Sequence, residues 1–124
     1  MTTGTIKIFR CIPALTVMGL IFFLSHQSGG SFDIPIDLPY FDKIVHALLY
    51  AALGFTLIFA FHDKREQVPR HFLAAIIIFL CIAYGITDEW HQSYIPLRSP
   101  SLGDIAADGF GALCAVFFWG KRRR

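Results

Sequence analysis

The stretch Asp42–Phe61, DKIVHALLYAALGFTLIFAF, decides the fold. After Lys43 it holds no Lys, Arg, Asp or Glu up to Phe61, and about 20 predominantly apolar residues are what a helix needs to cross a bilayer core. Its few polar side chains are ordered. Asp42, His46 and Tyr50 recur at i, i+4 and i+8, which stacks them on one face of a helix. At about 1.5 Å rise per residue, His46 lies roughly 6 Å and Tyr50 roughly 12 Å along the axis from Asp42. The stretch therefore reads as a membrane helix with a polar stripe at one end.

Three more apolar runs flank it: Ile6–Leu24, Phe72–Thr87 and Leu102–Trp119, the last carrying Asp104 and Asp108. If the third continues as a helix through His91, the spans fall at about 6–24, 44–61, 72–91 and 102–119. The composition agrees. Of 124 residues, 55% are hydrophobic and only 16% charged, against about 25% charged in a typical soluble domain. A soluble domain of this size has too much surface for so few charges. The length allows one domain, residues 1–124. The fold class is all-α, an integral membrane four-helix bundle.

A net charge of +2 leaves no electrostatic footprint for nucleic acid. Cys11, Cys81 and Cys114 each sit in an apolar run without paired spacing, so neither a disulfide framework nor a thiolate zinc site is indicated.

Lys and Arg set the orientation. Along the N-terminus, loop one (Ser25–Lys43), loop two (His62–His71), loop three (Asp88–Gly103) and the tail they number two, one, three, one and four. By the positive-inside rule, both termini and loop two lie in the cytoplasm, and loops one and three face outward. The chain is therefore expected to cross its membrane several times. One alternative concerns the start of the chain. Lys7 and Arg10 followed by Cys11–Leu24 have the length of a signal peptide, but no clear A-x-A-like site follows, which favours a retained span.

Ionisable residues inside a membrane are costly and default to function. Here they gather at the outward ends of three helices. Asp42, His46 and Tyr50 come from the second helix. Asp88, His91 and Gln92 share a face of the third at i, i+3 and i+4, with Glu89 turned about 100° away. Asp104 and Asp108 lie one turn apart on the fourth. Arg98 lies in loop three, and Ser25 and Gln27 follow the first helix. If the faces meet, they form a polar pocket near the headgroups. An arginine there suits a phosphate or carboxylate, and paired acids with histidines suit proton transfer.

Bland readings exist for each residue. Asp42 and Asp104 suit helix starts, and Lys43 suits a snorkelling role. Asp88 and Glu89 could pair with Arg98 to close loop three. Asp108, a turn deeper, is the hardest to assign to structure alone. Ligand types would allow a metal at His46, His91 and the acids, yet no H-E-x-x-H or other firm spacing supports one. No metal is therefore assigned, and the cofactor is left open.

Read in order, these residues form a pattern. Asp42-Lys43-x-x-His46-x-x-x-Tyr50-x-x-Leu53-Gly54 is followed by Asp88-Glu89-x-His91-Gln92, then Pro96-Leu97-Arg98-Ser99, then Asp104-x-x-x-Asp108-x-x-Gly111, with Ser25-x-Gln27 ahead of them. The chain thereby resembles the VanZ-like family of small bacterial membrane proteins. It departs where the family often has P-G-R and this chain has Leu97, and where many members have Asn at the position of Asp108. The founding member is associated with low-level teicoplanin resistance.

The resemblance and the polar cluster together imply an envelope protein that binds or processes a lipid-linked or anionic headgroup, with membrane lipids or a lipid-linked envelope precursor as partner. If it is an enzyme, it is expected to be a hydrolase or group transferase at the outer leaflet. Its catalytic residues are then expected to be His46, Asp88, Glu89 and His91. Asp42, Tyr50, Gln92, Arg98, Asp104 and Asp108 are expected to bind substrate. The alternatives are a non-catalytic tolerance or binding factor, and a small transporter or lipid-flipping subunit. The oligomeric state is open.

Overall fold

The computed structural model describes residues 7–26, 41–95 and 102–122. All regular structure among them is helical: α1 (Ile12–His26), α2 (Phe41–Ala60), α3 (Arg70–Gln92) and α4 (Leu102–Arg122), with short 3₁₀ turns at Ile8–Cys11 and His62–Lys64. Each long helix includes or overlaps a stretch long and apolar enough to span a membrane. In lipid a backbone must satisfy its own hydrogen bonds, and a helix does this within one segment.

α2, α3 and α4 run slightly longer than their apolar runs suggest, whereas α1 proper begins only at Ile12, after the 3₁₀ turn Ile8–Cys11. α2 begins three residues early, at Phe41, and α4 continues to Arg122. α3 begins at Arg70, directly after Pro69, whose fixed φ of −55° suits a helix start. It then continues through Asp88, Glu89, His91 and Gln92, so the polar group of loop three is helical. Cys11, Cys81 and Cys114 are free thiols.

The surface is apolar and the interior partly polar. Phe22, Phe55, Phe79, Phe110 and Phe117 project outward, as lipid-facing side chains do. The core holds Ile21, Tyr50, Leu53, Leu73, Ile77, Cys81, Ala112 and Ala115. Buried with them are Ser25, His46, Asp88, Glu89, Gln92, Asp104 and Asp108.

α2 and α4 run in the same direction and form the closest pair. Gly111 lies against the Ala47 carbonyl and the Ala51 backbone nitrogen, and a Cβ on Gly54 would stand 2.7 Å from Ala115 Cβ. Small residues here let two backbones approach, the usual basis of helix association in lipid. Ala112 stands at the same approach, its Cα 3.6 Å from where a Cβ on Gly54 would lie. Gly109 is different: a Cβ there would make only ordinary contact with Ile82.

α1 packs on α2 and α3, and two hydrogen bonds tie it to α3. Tyr84 Oη donates to the Met18 carbonyl at 2.6 Å, and Gln92 Nε2 donates to Ser25 Oγ at 3.2 Å. At the opposite end of the bundle, Arg70 donates to the Trp119 carbonyl at 3.1 Å with its guanidinium 5.0 Å from the indole centroid. A cation there complements the negative C-terminal end of α4.

Candidate functional site

The register of α2 against α4 builds the site. Lys43 precedes His46 by three residues, and Asp104 precedes Asp108 by four, so two cross-helix pairs form one turn apart. Lys43 Nζ meets Asp104 Oδ1 at 2.8 Å, and His46 Nδ1 meets Asp108 Oδ1 at 2.8 Å. Deeper along α2, Tyr50 lies 6.4 Å from the His46 ring with the two planes nearly parallel, at 5°. Its hydroxyl is fully buried and makes no hydrogen bond to the described residues.

α3 closes the third side. Glu89 brings a carboxylate oxygen to the same place: one ligand atom each from His46, Glu89 and Asp104 lies within 4.8 Å of the others. Asp88 is also buried and within electrostatic reach of His46, Tyr50 and Asp108. Gly85, one turn before Asp88, gives the Asp108 carboxyl its niche: a Cβ at Gly85 would stand 2.6 Å from Asp108 Oδ2.

The expected residues thus separate into two groups. His46, Tyr50, Asp88, Glu89, Asp104 and Asp108 come together between α2, α3 and α4. His91 does not join them. It turns to α1 and stacks on Phe22, ring centroids 4.6 Å apart. Gln92 likewise turns to Ser25 of α1. The face expected to carry Asp88, His91 and Gln92 together is therefore split between two neighbours. Glu89, expected to point elsewhere, enters the cluster because a helix inside a bundle has neighbours on several sides. The side chain of Asp42 and the whole of Arg98 and Gln27 lie outside the described residues.

Two contributors were missed. Lys43 reads as a snorkelling cation, yet it pairs with Asp104; its i, i+3 relation to His46 was the available signal. Gly85 was unmarked, although it is a glycine on the Asp88 face of an otherwise bulky run.

Around His46 the described residues place four carboxylates, from Asp88, Glu89, Asp104 and Asp108, and one ammonium, from Lys43. An open hollow at the other end of the bundle, lined by His62, Asp63, Arg65 and Glu66, is remote from this chemistry.

Four membrane-length helices with an imidazole and carboxylates enclosed at one end define a small multi-pass membrane protein with a polar interior at that end. More particularly, the chain belongs to the VanZ/LLP1 family, whose model matches residues 8–120. No curated protein and no solved structure matches the chain.

Proposed function

We propose that the protein works at the extracytoplasmic face of the bacterial cytoplasmic membrane. There it binds or processes a lipid-linked or anionic headgroup, with an effect on glycopeptide tolerance. The orientation rests on the alternating Lys and Arg counts along the chain. These put the end where α2 and α4 begin on the outside.

One observation carries the reading. His46 is fixed by the fully buried Asp108 and stands beside Glu89 and Asp104 in the interior of the bundle. Burying that many ionisable groups in a membrane protein is costly, and such groups mark a functional site by default.

As an enzyme it would catalyse hydrolysis or group transfer. Asp108 would hold the imidazole in one tautomer, leaving the other ring nitrogen as a base. His46 would then give the proton to the leaving group, directly or relayed through Asp88 or Glu89. Arg98 of loop three would meet the anionic group. The described carboxylates outnumber the described cations, so a phosphate or carboxylate would enter only with such positive help.

The test is an alanine series at Asp42, His46, Asp88, Glu89, Arg98, Asp104 and Asp108 in a Gram-positive host. It is scored for teicoplanin tolerance, with a C-terminal fluorescent fusion reporting the amount of protein in the membrane. Variants that accumulate normally and lose tolerance support the reading. Loss of tolerance that always follows loss of protein would reduce the cluster to structural use.

A further inference from the structure

We infer that His46, Glu89 and Asp104 bind a divalent first-row metal ion, with Asp108 orienting the imidazole. The inference concerns the same cluster and rests on that reading of it; with the ion bound, His46 is a ligand and not the base, and proton transfer falls to Asp88.

The argument begins with geometry. Three helices each supply one ligand: α2 a nitrogen, α3 and α4 a carboxylate oxygen. The three atoms already lie within 4.8 Å of one another. Ligands bound at about 2.0–2.2 Å to one ion stand roughly 3–4 Å apart, so a small side-chain adjustment closes the set. His46, Glu89 and Asp104 are 9%, 5% and 4% exposed, so the site is formed within the fold and not on a charged surface.

Asp108 supplies the second argument. Metal-bound histidines usually give their other ring N–H to a carboxylate, which fixes ring orientation and raises ligand basicity. Asp108 does this for His46 at 2.8 Å with no exposed surface of its own. With Nδ1 so engaged, Nε2 keeps the lone pair that a metal requires.

Lys43 Nζ, 2.8 Å from Asp104 Oδ1, is a competitor for the ion and a substitute when it is absent. One imidazole with two carboxylates suits Zn²⁺ or Mn²⁺.

The experiment uses the full chain in nanodiscs, stripped with a chelator that is then removed. Mn²⁺ is titrated by loss of its free paramagnetic signal, and Zn²⁺ by calorimetry. The expected result is one saturable equivalent per chain. Glu89→Gln and Asp104→Asn should each weaken it at least tenfold, and Asp108→Asn about tenfold or more, as lost carboxylate support of a ligating histidine does. Lys43→Met should bind at least as tightly as the natural chain, and His62→Ala should be unchanged. Size-exclusion profile and helical circular dichroism check that each variant is folded. If Asp104→Asn does not fold, Glu89→Gln and Lys43→Met decide alone.

Absence of a saturable equivalent overturns the inference. So does binding in Glu89→Gln equal to that of the natural chain, which would put the ion elsewhere. Neither result touches the proposed function, which is scored by tolerance. Conversely, normal tolerance throughout the alanine series would remove that function and leave a measured ion site standing.

Discussion

His46 on α2 and Asp108 on α4 are joined by a 2.8 Å hydrogen bond from Nδ1 to Oδ1, at a depth where Asp108 has no exposed surface. Single polar contacts between membrane helices average about 0.6 kcal/mol, whereas removing one partner of a buried ion pair can cost about 3–5 kcal/mol. Which figure applies depends on what is left behind. Asp108→Asn keeps an acceptor for the imidazole, so a loss of about 1 kcal/mol or less is expected. His46→Leu leaves the Asp108 carboxylate buried without its imidazole and should cost roughly 2–4 kcal/mol. Equilibrium unfolding in mixed detergent measures both, and equal losses would contradict the ranking.

Gly85 holds the niche of the same carboxyl. A Cβ there would stand 2.6 Å from Asp108 Oδ2 and 3.3 Å from Asp108 Cβ, closer than packed atoms allow. Gly85→Ala should therefore lose about 1–3 kcal/mol, the usual range for overpacking. The strain has one source, so combining Gly85→Ala with Asp108→Ala should recover part of it. A double-mutant cycle reads the coupling. Additive losses would mean that Gly85 matters for another reason.

The first helix face to be read from sequence was also the most faithful. The i, i+4 spacing of His46 and Tyr50 survives because both depend only on helical periodicity, and the same holds for Asp104 and Asp108. What periodicity does not encode is which neighbour each face meets. Register between α2 and α4 is set by Gly54, Ala115 and Gly111 in three dimensions, so the pairing of Lys43 with Asp104 was not legible. The turn of His91 and Gln92 toward α1 was hidden for a related reason. Helix α3 has α1 on one side and α2 and α4 on another, and a stripe of residues three and four apart is wide enough to serve both.

Gly111 offers a direct check on that register. Its missing side chain is occupied by the α2 backbone at Ala47 and Ala51, and neither backbone can yield as a flexible side chain would. Gly111→Val should push α4 from α2 and separate both cross-helix pairs at once. The expected outcome is poor accumulation in the membrane, with stability reduced by about 2 kcal/mol or more where folded protein is recovered. Gly109→Ala, facing Ile82 at ordinary contact distance, should be tolerated. The two variants, made in one fusion background and compared by fluorescence per cell, test the close α2–α4 approach without reference to activity.

Tyr50 separates structure from function most cleanly. Its side chain is fully buried and its hydroxyl makes no hydrogen bond to the described residues. A buried hydroxyl without a partner costs about 1–3 kcal/mol, so its removal should not harm the fold. Tyr50→Phe is expected to be as stable as the natural chain or up to about 1 kcal/mol more stable, with the ring still parallel to His46. If the hydroxyl is kept for a ligand or a proton, the same variant should lose tolerance or activity while accumulating normally. Stability gained together with function lost would mark Tyr50 as a working residue. A clear loss of stability would mean that the hydroxyl has a structural partner in the folded protein, and Tyr50 would then leave the candidate site.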